Sequence, residues 1–133
     1  MREFYLDRNP IVITLDYLFT VAPHASTERG SYDVPAGRRA FLEYGILSVR
    51  RVTVAGSASA VYDFLGYTEN GGSERLLDYT WLYGNSIGDR EMNKTHYGML
   101  LNAGDNVRIN TFDGSTGGTV AHNILVKLTE FDE

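Results

Sequence analysis

The sequence predicts an all-β fold, an antiparallel β-sandwich of seven or eight strands. Apolar residues recur at a period of two in several stretches, turn-forming Gly, Pro, Asn and Asp separate them at roughly 8–12 residue intervals, and no long helical stripe occurs. At 133 residues the chain fits one domain over 1–133, with residues 1–10 as an extended arm. A chain of this length buries roughly 65% of its unfolded surface, enough for one core without metal or crosslink.

The first strand carries Ile11, Ile13, Leu15, Tyr17, Phe19 and Val21 on one face, with Val12 and Leu18 on the other. Residues 24–37 read as a polar loop closing on Val34-Pro35-Ala36-Gly37, a turn. From Ala40 the even positions Ala40, Leu42, Tyr44 and Ile46 share a face. At residues 45–47 the parity switches to Leu47, Val49 and Arg51, which predicts a bulge. Residues 61–67 form a short strand, Asn70-Gly71 a tight turn, and residues 75–83 an aromatic-rich strand. Residues 84–93 read as a loop and 95–101 as a strand. The last third places Val107, Ile109 and Thr111 in one strand. Val120, His122, Ile124, Val126 and Leu128 line one face of the final strand, and the stretch 104–131 reads as a terminal hairpin.

Two similar turns, Val34-Pro35-Ala36-Gly37 and Leu101-Asn102-Ala103-Gly104-Asp105, precede strands and mark equivalent positions in two related strand sets. With a long first and a long last strand, this order resembles small jelly-roll domains of tumour-necrosis-factor-like or phage-virion type. It is closest in style to head-decoration and fibre-associated proteins of tailed phages. The resemblance implies a jelly roll, a homo-oligomer of trimeric form, and a capsid protein or surface receptor as partner. It carries no catalytic or ligand-binding residue onto this chain.

Composition narrows the chemistry. The chain has no cysteine, which excludes disulfides, thiolate catalysis and cysteine metal sites. Its formal charge is −5 with the signs interspersed, so no nucleic-acid partner is expected. The apolar run 11–22 is too short to span a bilayer and contains Asp16, so no membrane insertion is expected. The basic pairs Arg38-Arg39 and Arg50-Arg51 read as a solvated edge or interface salt bridges. His24, His96 and His122 form no local ligand motif, and His122 reads as a hydrogen-bonded residue of the core or an interface. The carboxylates in the turns read as solvated caps. Neither a nucleophile elbow nor a phosphate loop is present. No cofactor, metal or catalytic residue is expected, and the chain reads as a non-enzyme.

Nine tyrosines, six phenylalanines and one tryptophan give a small β protein many rigid contact groups. Tyr32, Arg38, Tyr83, Arg90 and His96 are the candidate binding residues. Val12, Leu18, Ala121 and Leu125 lie off the expected core face and are the candidate assembly interface. The function expected from these features and the resemblance is a structural virion protein, a capsid decoration or fibre-associated assembly and binding component. A carbohydrate-binding β-sandwich module, with Trp81 and neighbouring tyrosines exposed to a glycan, is the alternative.

Overall fold

The computed structural model describes residues 8–21, 25–57 and 61–133, and for residues 16–21 and 25–29 the backbone alone. Eight strands follow one another: β1 (Ile11–Val21), β2 (Ala25–Asp33), β3 (Arg38–Thr53), β4 (Val61–Thr68), β5 (Glu74–Leu82), β6 (Arg90–Leu101), β7 (Asn106–Asp113) and β8 (Thr119–Asp132). They form two four-stranded sheets in the orders β1-β8-β3-β6 and β2-β7-β4-β5. Every pairing is antiparallel.

The order has a simple origin. β1 pairs with β8, β2 with β7, β3 with β6 and β4 with β5, so the chain is one long hairpin folded over itself. Its tip is the turn at residues 69–72, where the Gly72 amide donates to the Glu69 carbonyl at 2.7 Å. Successive pairs fall alternately into the two sheets, which is the winding of a jelly roll.

The two similar turns meet. The Arg38 amide donates to the Pro35 carbonyl at 3.2 Å and the Asp105 amide to the Asn102 carbonyl at 3.0 Å. Gly37 (φ 76°) and Gly104 (φ 87°) both occupy the third position, where a type II turn needs the left-handed region. The turns are stitched together as well. Val34 donates to the Asp105 carbonyl and accepts from the Gly104 amide, both at 2.9 Å. They are the equivalent corners of the folded hairpin.

Four expectations are corrected. Residues 104–131 are not a hairpin, because β7 and β8 lie in different sheets. Each strand has one apolar face to bury, and crossing between sheets sets those faces against each other, whereas a flat hairpin would leave them both open. Residues 25–33 form β2 and not a loop. This is an edge strand paired on one side only, with a bulge at Glu28/Gly30, so polar residues are tolerated there. The same applies at residues 90–93, where the exposed start of edge strand β6 lies in what reads as a loop. Finally, the bulge in β3 falls between Leu42 and Tyr44, three residues earlier than the parity of the sequence indicates. Tyr44 and Ile46 therefore belong with the outer face. His24 lies outside the described residues.

The core divides along the sandwich. Ala40, Leu42, Leu47, Ile124, Val126 and Leu128 of one sheet pack on Leu65, Val107 and Ile109 of the other, each large aliphatic contributing about 1.5–3 kcal/mol by burial. A smaller cluster holds Val49, Val61, Leu82 and Val120. Between them runs a polar layer. Asp63 stands opposite Thr80 and Thr111 in its sheet and meets His122 of the other, both side chains fully enclosed. His122 Nδ1 and Asp63 Oδ1 form a short hydrogen bond. Thr80 Oγ1 donates across the sheets to the Leu47 carbonyl at 3.3 Å. Arg51, expected at a solvated edge, is also buried, its guanidinium 3.4 Å from both Ser115 Oγ and the Gly84 carbonyl. Its neighbour Arg50 points outward, as strand alternation requires.

Asp63→Ala leaves His122 without its carboxylate in the core and is expected to lower the unfolding free energy by about 3–5 kcal/mol in urea denaturation. The double replacement Asp63→Val/His122→Leu, which removes both polar groups, is expected to be less destabilising than the single one.

Candidate binding surfaces

The five predicted binding residues separate into three places. Tyr32 and Arg38 come together on Glu130 at the end of β8. The Tyr32 hydroxyl donates to Glu130 Oε2 at 2.5 Å and Arg38 Nε to Glu130 Oε1 at 2.6 Å. Arg38 also pairs with Asp132 and donates to the Asn9 carbonyl at 2.9 Å. Asn9 in turn donates to Asp132 at 2.5 Å. The group ties residue 9, β2, β3 and β8 together, so its polar atoms are spent on the fold. Glu130, the acid at its centre, carries no sequence signal beyond its place at a strand end.

Tyr83 lies on the opposite side of the molecule from Arg90 and His96, at the end of a row of aromatics on the outer face of the β2-β7-β4-β5 sheet. Alternation along β5 turns Thr80 and Leu82 inward and Tyr79 and Trp81 outward. Register then aligns Trp81 with Tyr62 of β4, and Tyr62 with Phe112 of β7. Ring centroids are 5.9 Å apart for Tyr83 and Trp81, 4.7 Å for Trp81 and Tyr62, and 5.1 Å for Tyr62 and Phe112. The Tyr83 and Trp81 planes lie within 9° of parallel, and Tyr79 meets Trp81 edge-on. Cross-strand aromatic pairs stabilise a sheet by about 0.2–1 kcal/mol each. That role accounts for Tyr62 and Phe112, which are half-buried, but leaves Tyr83 at 71% and Tyr79 at 48% exposure unexplained. Leu76, Tyr79, Trp81 and Tyr83 line a shallow concavity of about 530 Å³. The alternation Tyr79, Trp81, Tyr83 is the sequence signal for this surface; Leu76 joins it through the irregularity in β5 opposite Leu65 and Gly66, and Phe112 through the register.

Arg90 and His96 lie on the outer face of the β1-β8-β3-β6 sheet. Arg90 stands opposite Arg50, and His96 opposite Tyr44, with ring centroids 5.9 Å apart. The candidate assembly residues Val12, Ala121 and Leu125 are on the same face, and Leu18 is placed by its backbone register. Val12 is opposite Thr129, Leu18 opposite Asn123, Ala121 opposite Arg50 and Leu125 opposite Ile46. Val12 is exposed, while Ala121 and Leu125 are half-buried.

Elsewhere the polar groups serve the fold. Asp78 closes the edge of β5: its Oδ1 accepts from the Tyr79 amide at 2.8 Å and its Oδ2 from Thr95 Oγ1 at 2.7 Å and the Tyr97 hydroxyl at 3.3 Å. Asp105 accepts from the Asn70 and Asn102 amides at 3.0 and 2.8 Å and from the Tyr67 hydroxyl at 3.2 Å. His122 and Asp63 have the make-up of an acid–base pair, but with no exposed surface they are closed to substrate. Among the described residues no group of three or more His, Asp or Glu is placed to hold a metal, and no helix is long and apolar enough to cross a membrane.

No protein-family model matches the chain, and no curated protein matches it. Among solved structures it resembles viral-capsid, phage and tumour-necrosis-factor-like jelly rolls. A structure of the infectious bursal disease virus Gt strain aligns at a TM-score of 0.43 and 14% identity over 91% of this chain and 33% of that one. Eiger TNF from S. frugiperda aligns at 0.42 and 13% over 92% of each chain. The capsid of Ralstonia phage GP4 aligns at 0.45 and 15%, over 88% of this chain and 83% of that one. The chain thus spans about a third of the length of the infectious bursal disease virus chain it matches. The likeness is one of fold alone, and the jelly-roll assignment rests on the strand order.

The hydroxyls bonded to carboxylates hold their protons beyond the ordinary tyrosine range. Burial, then the bond and charge of Glu130, raises Tyr32. Burial, then the charge and bond of Asp78, raises Tyr97. Burial, then the charge and bond of Asp105, pushes Tyr67 up to about 12. Because these values are higher in the folded than in the unfolded chain, the stability they confer is complete below about pH 10 and is lost as pH rises through the folded values. Absorbance titration at 295 nm is expected to show these three tyrosines ionising after the exposed ones and together with loss of the fold; ionisation of all nine in one step near pH 10 would contradict the network.

Proposed function

We propose that this chain is a non-enzymatic structural component of a virion, a capsid decoration or fibre-associated protein that attaches through the aromatic face of the β2-β7-β4-β5 sheet. The observation that supports the reading is the row Tyr79, Trp81 and Tyr83 on the outer face of the sheet, in which Trp81 is half-buried while Tyr79 and Tyr83 are more open to water than sheet packing requires. Aromatic anchors of this kind dominate the energy of many interfaces. Enclosure of the His122–Asp63 pair supports a binding role over a catalytic one. Gradient-purified virus particles from the organism that encodes the chain are expected to carry it at a fixed copy number by quantitative mass spectrometry. Recovery only as free protein would remove the reading. The trimer implied by the resemblance is to be measured by sedimentation velocity on the full chain.

The near-parallel Trp81 and Tyr83 rings favour a second reading, a glycan platform on which sugar rings stack. In affinity electrophoresis against a panel of polysaccharides, Trp81→Ala is then expected to weaken retention by about tenfold or more, as loss of a hot-spot aromatic does, with Tyr62 left in place to support the sheet. Retention of the same polysaccharide by the wild-type chain and Trp81→Ala would rule the platform out as a sugar site.

A further inference from the structure

The outer face of the β1-β8-β3-β6 sheet concentrates positive charge on a chain whose net charge is −5. Arg50 and Arg90 are exposed and directly opposite each other across the β3–β6 ladder. Like charges so placed destabilise a strand pair, and among the described residues neither arginine forms a salt bridge. Four residues further along β6, about 13 Å away, Lys94 is exposed with its ammonium 5.7 Å from the Tyr44 ring centroid. Lys127 of β8 reaches the same ring at 5.9 Å. Four of the chain's twelve bases therefore share one face. Glu43 lies 3.4 Å from Lys127, and the Asp16 backbone is paired opposite Leu125.

We propose that this face docks a protein whose contacting surface is acidic around an apolar centre. The inference goes beyond the reading above, which uses the aromatic face of the other sheet, and gives the chemistry of what is met on this one. Charge complementarity sets the sign: carboxylates facing Arg50 and Arg90 relieve their mutual repulsion. The layout sets the class. Between the arginine row and Lys94 lies the uncharged row of Met92, Ser48 and Asn123, and half-buried Ile46 and Leu125 fill the centre. A regularly charged polymer would be matched by an unbroken cationic stripe, and the acidic remainder of the chain repels it. A second copy would offer the same excess of bases, so self-contact through this one face is disfavoured.

The test is fluorescence anisotropy of the full chain with a labelled random copolymer of glutamate and tyrosine, compared with heparin, duplex DNA and phosphatidylserine vesicles, at low and high ionic strength. The copolymer is expected to bind most tightly, weakening as salt rises. Arg90→Glu is expected to weaken it about tenfold, Arg90→Gln less, and the charge-matched Arg75→Glu on the other sheet hardly at all. Trp81→Ala leaves this binding unchanged, so loss of the aromatic platform is read separately from loss of this face. Absence of copolymer binding, equal effects of Arg90→Glu and Arg75→Glu, or tighter binding of heparin, DNA or vesicles overturns the proposal. So does a self-association in sedimentation velocity that Arg90→Glu abolishes, since the face would then belong to a second copy.

Discussion

Leu42, Leu47, Ile124 and Leu128 from one sheet face Leu65, Val107 and Ile109 from the other, and this closed apolar contact is what the remaining structure depends on. Each strand that supplies it is one-sided, so neither sheet is stable in water without its mate. Winding the chain as nested antiparallel pairs brings the one-sided strands together in a single operation. It also leaves two outer faces that take no part in holding the sheets together and are free to diverge. One became aromatic, the other cationic with an apolar centre.

Polar groups inside the sandwich add geometry to that contact. An apolar layer tolerates sliding of one sheet over the other, whereas the His122–Asp63 bond and the Thr80 bond to the Leu47 carbonyl are made at one relative position only. The buried Arg51, reaching Ser115 and Gly84, does the same at one end of the sandwich. At the opposite end, the Glu130 group and the stitched turns hold the corners. On the side between β5 and β6, Asp78 accepts from the Tyr79 amide of its own strand and from the Thr95 hydroxyl of β6, tying the two edges together. The two outer sheet faces are left open to water.

Much of the fold was legible along the chain. Period-two alternation in β7 and β8 marks the buried positions, with Val120 through Leu128 alternating as expected, because a residue's face in an unbroken strand follows from its parity. The turn glycines were legible for a local reason too, since Gly37 and Gly104 sit where an L side chain is strained. β2 was not legible. Its Ser, Thr and Glu residues suit a loop, and only a partner strand supplied from eighty residues away makes them a strand. The aromatic row was half legible: Tyr79, Trp81 and Tyr83 alternate in the sequence, but Tyr62 and Phe112 join them through a register no local pattern encodes.

By itself, then, the sequence determined which residues turn inward along the unbroken strands, the turns at Gly37, Gly71 and Gly104, and that the class is an antiparallel sandwich, because each of these depends on neighbours within a few residues. Only the tertiary structure decided that β7 and β8 part into different sheets, that Tyr32 and Arg38 are bound up with Glu130, and that Arg90 faces Arg50 while Tyr83 joins the other sheet. Those outcomes rest on pairings between strands far apart in the chain, and strand parity says which side of a sheet a residue occupies without saying which strand will lie beside it.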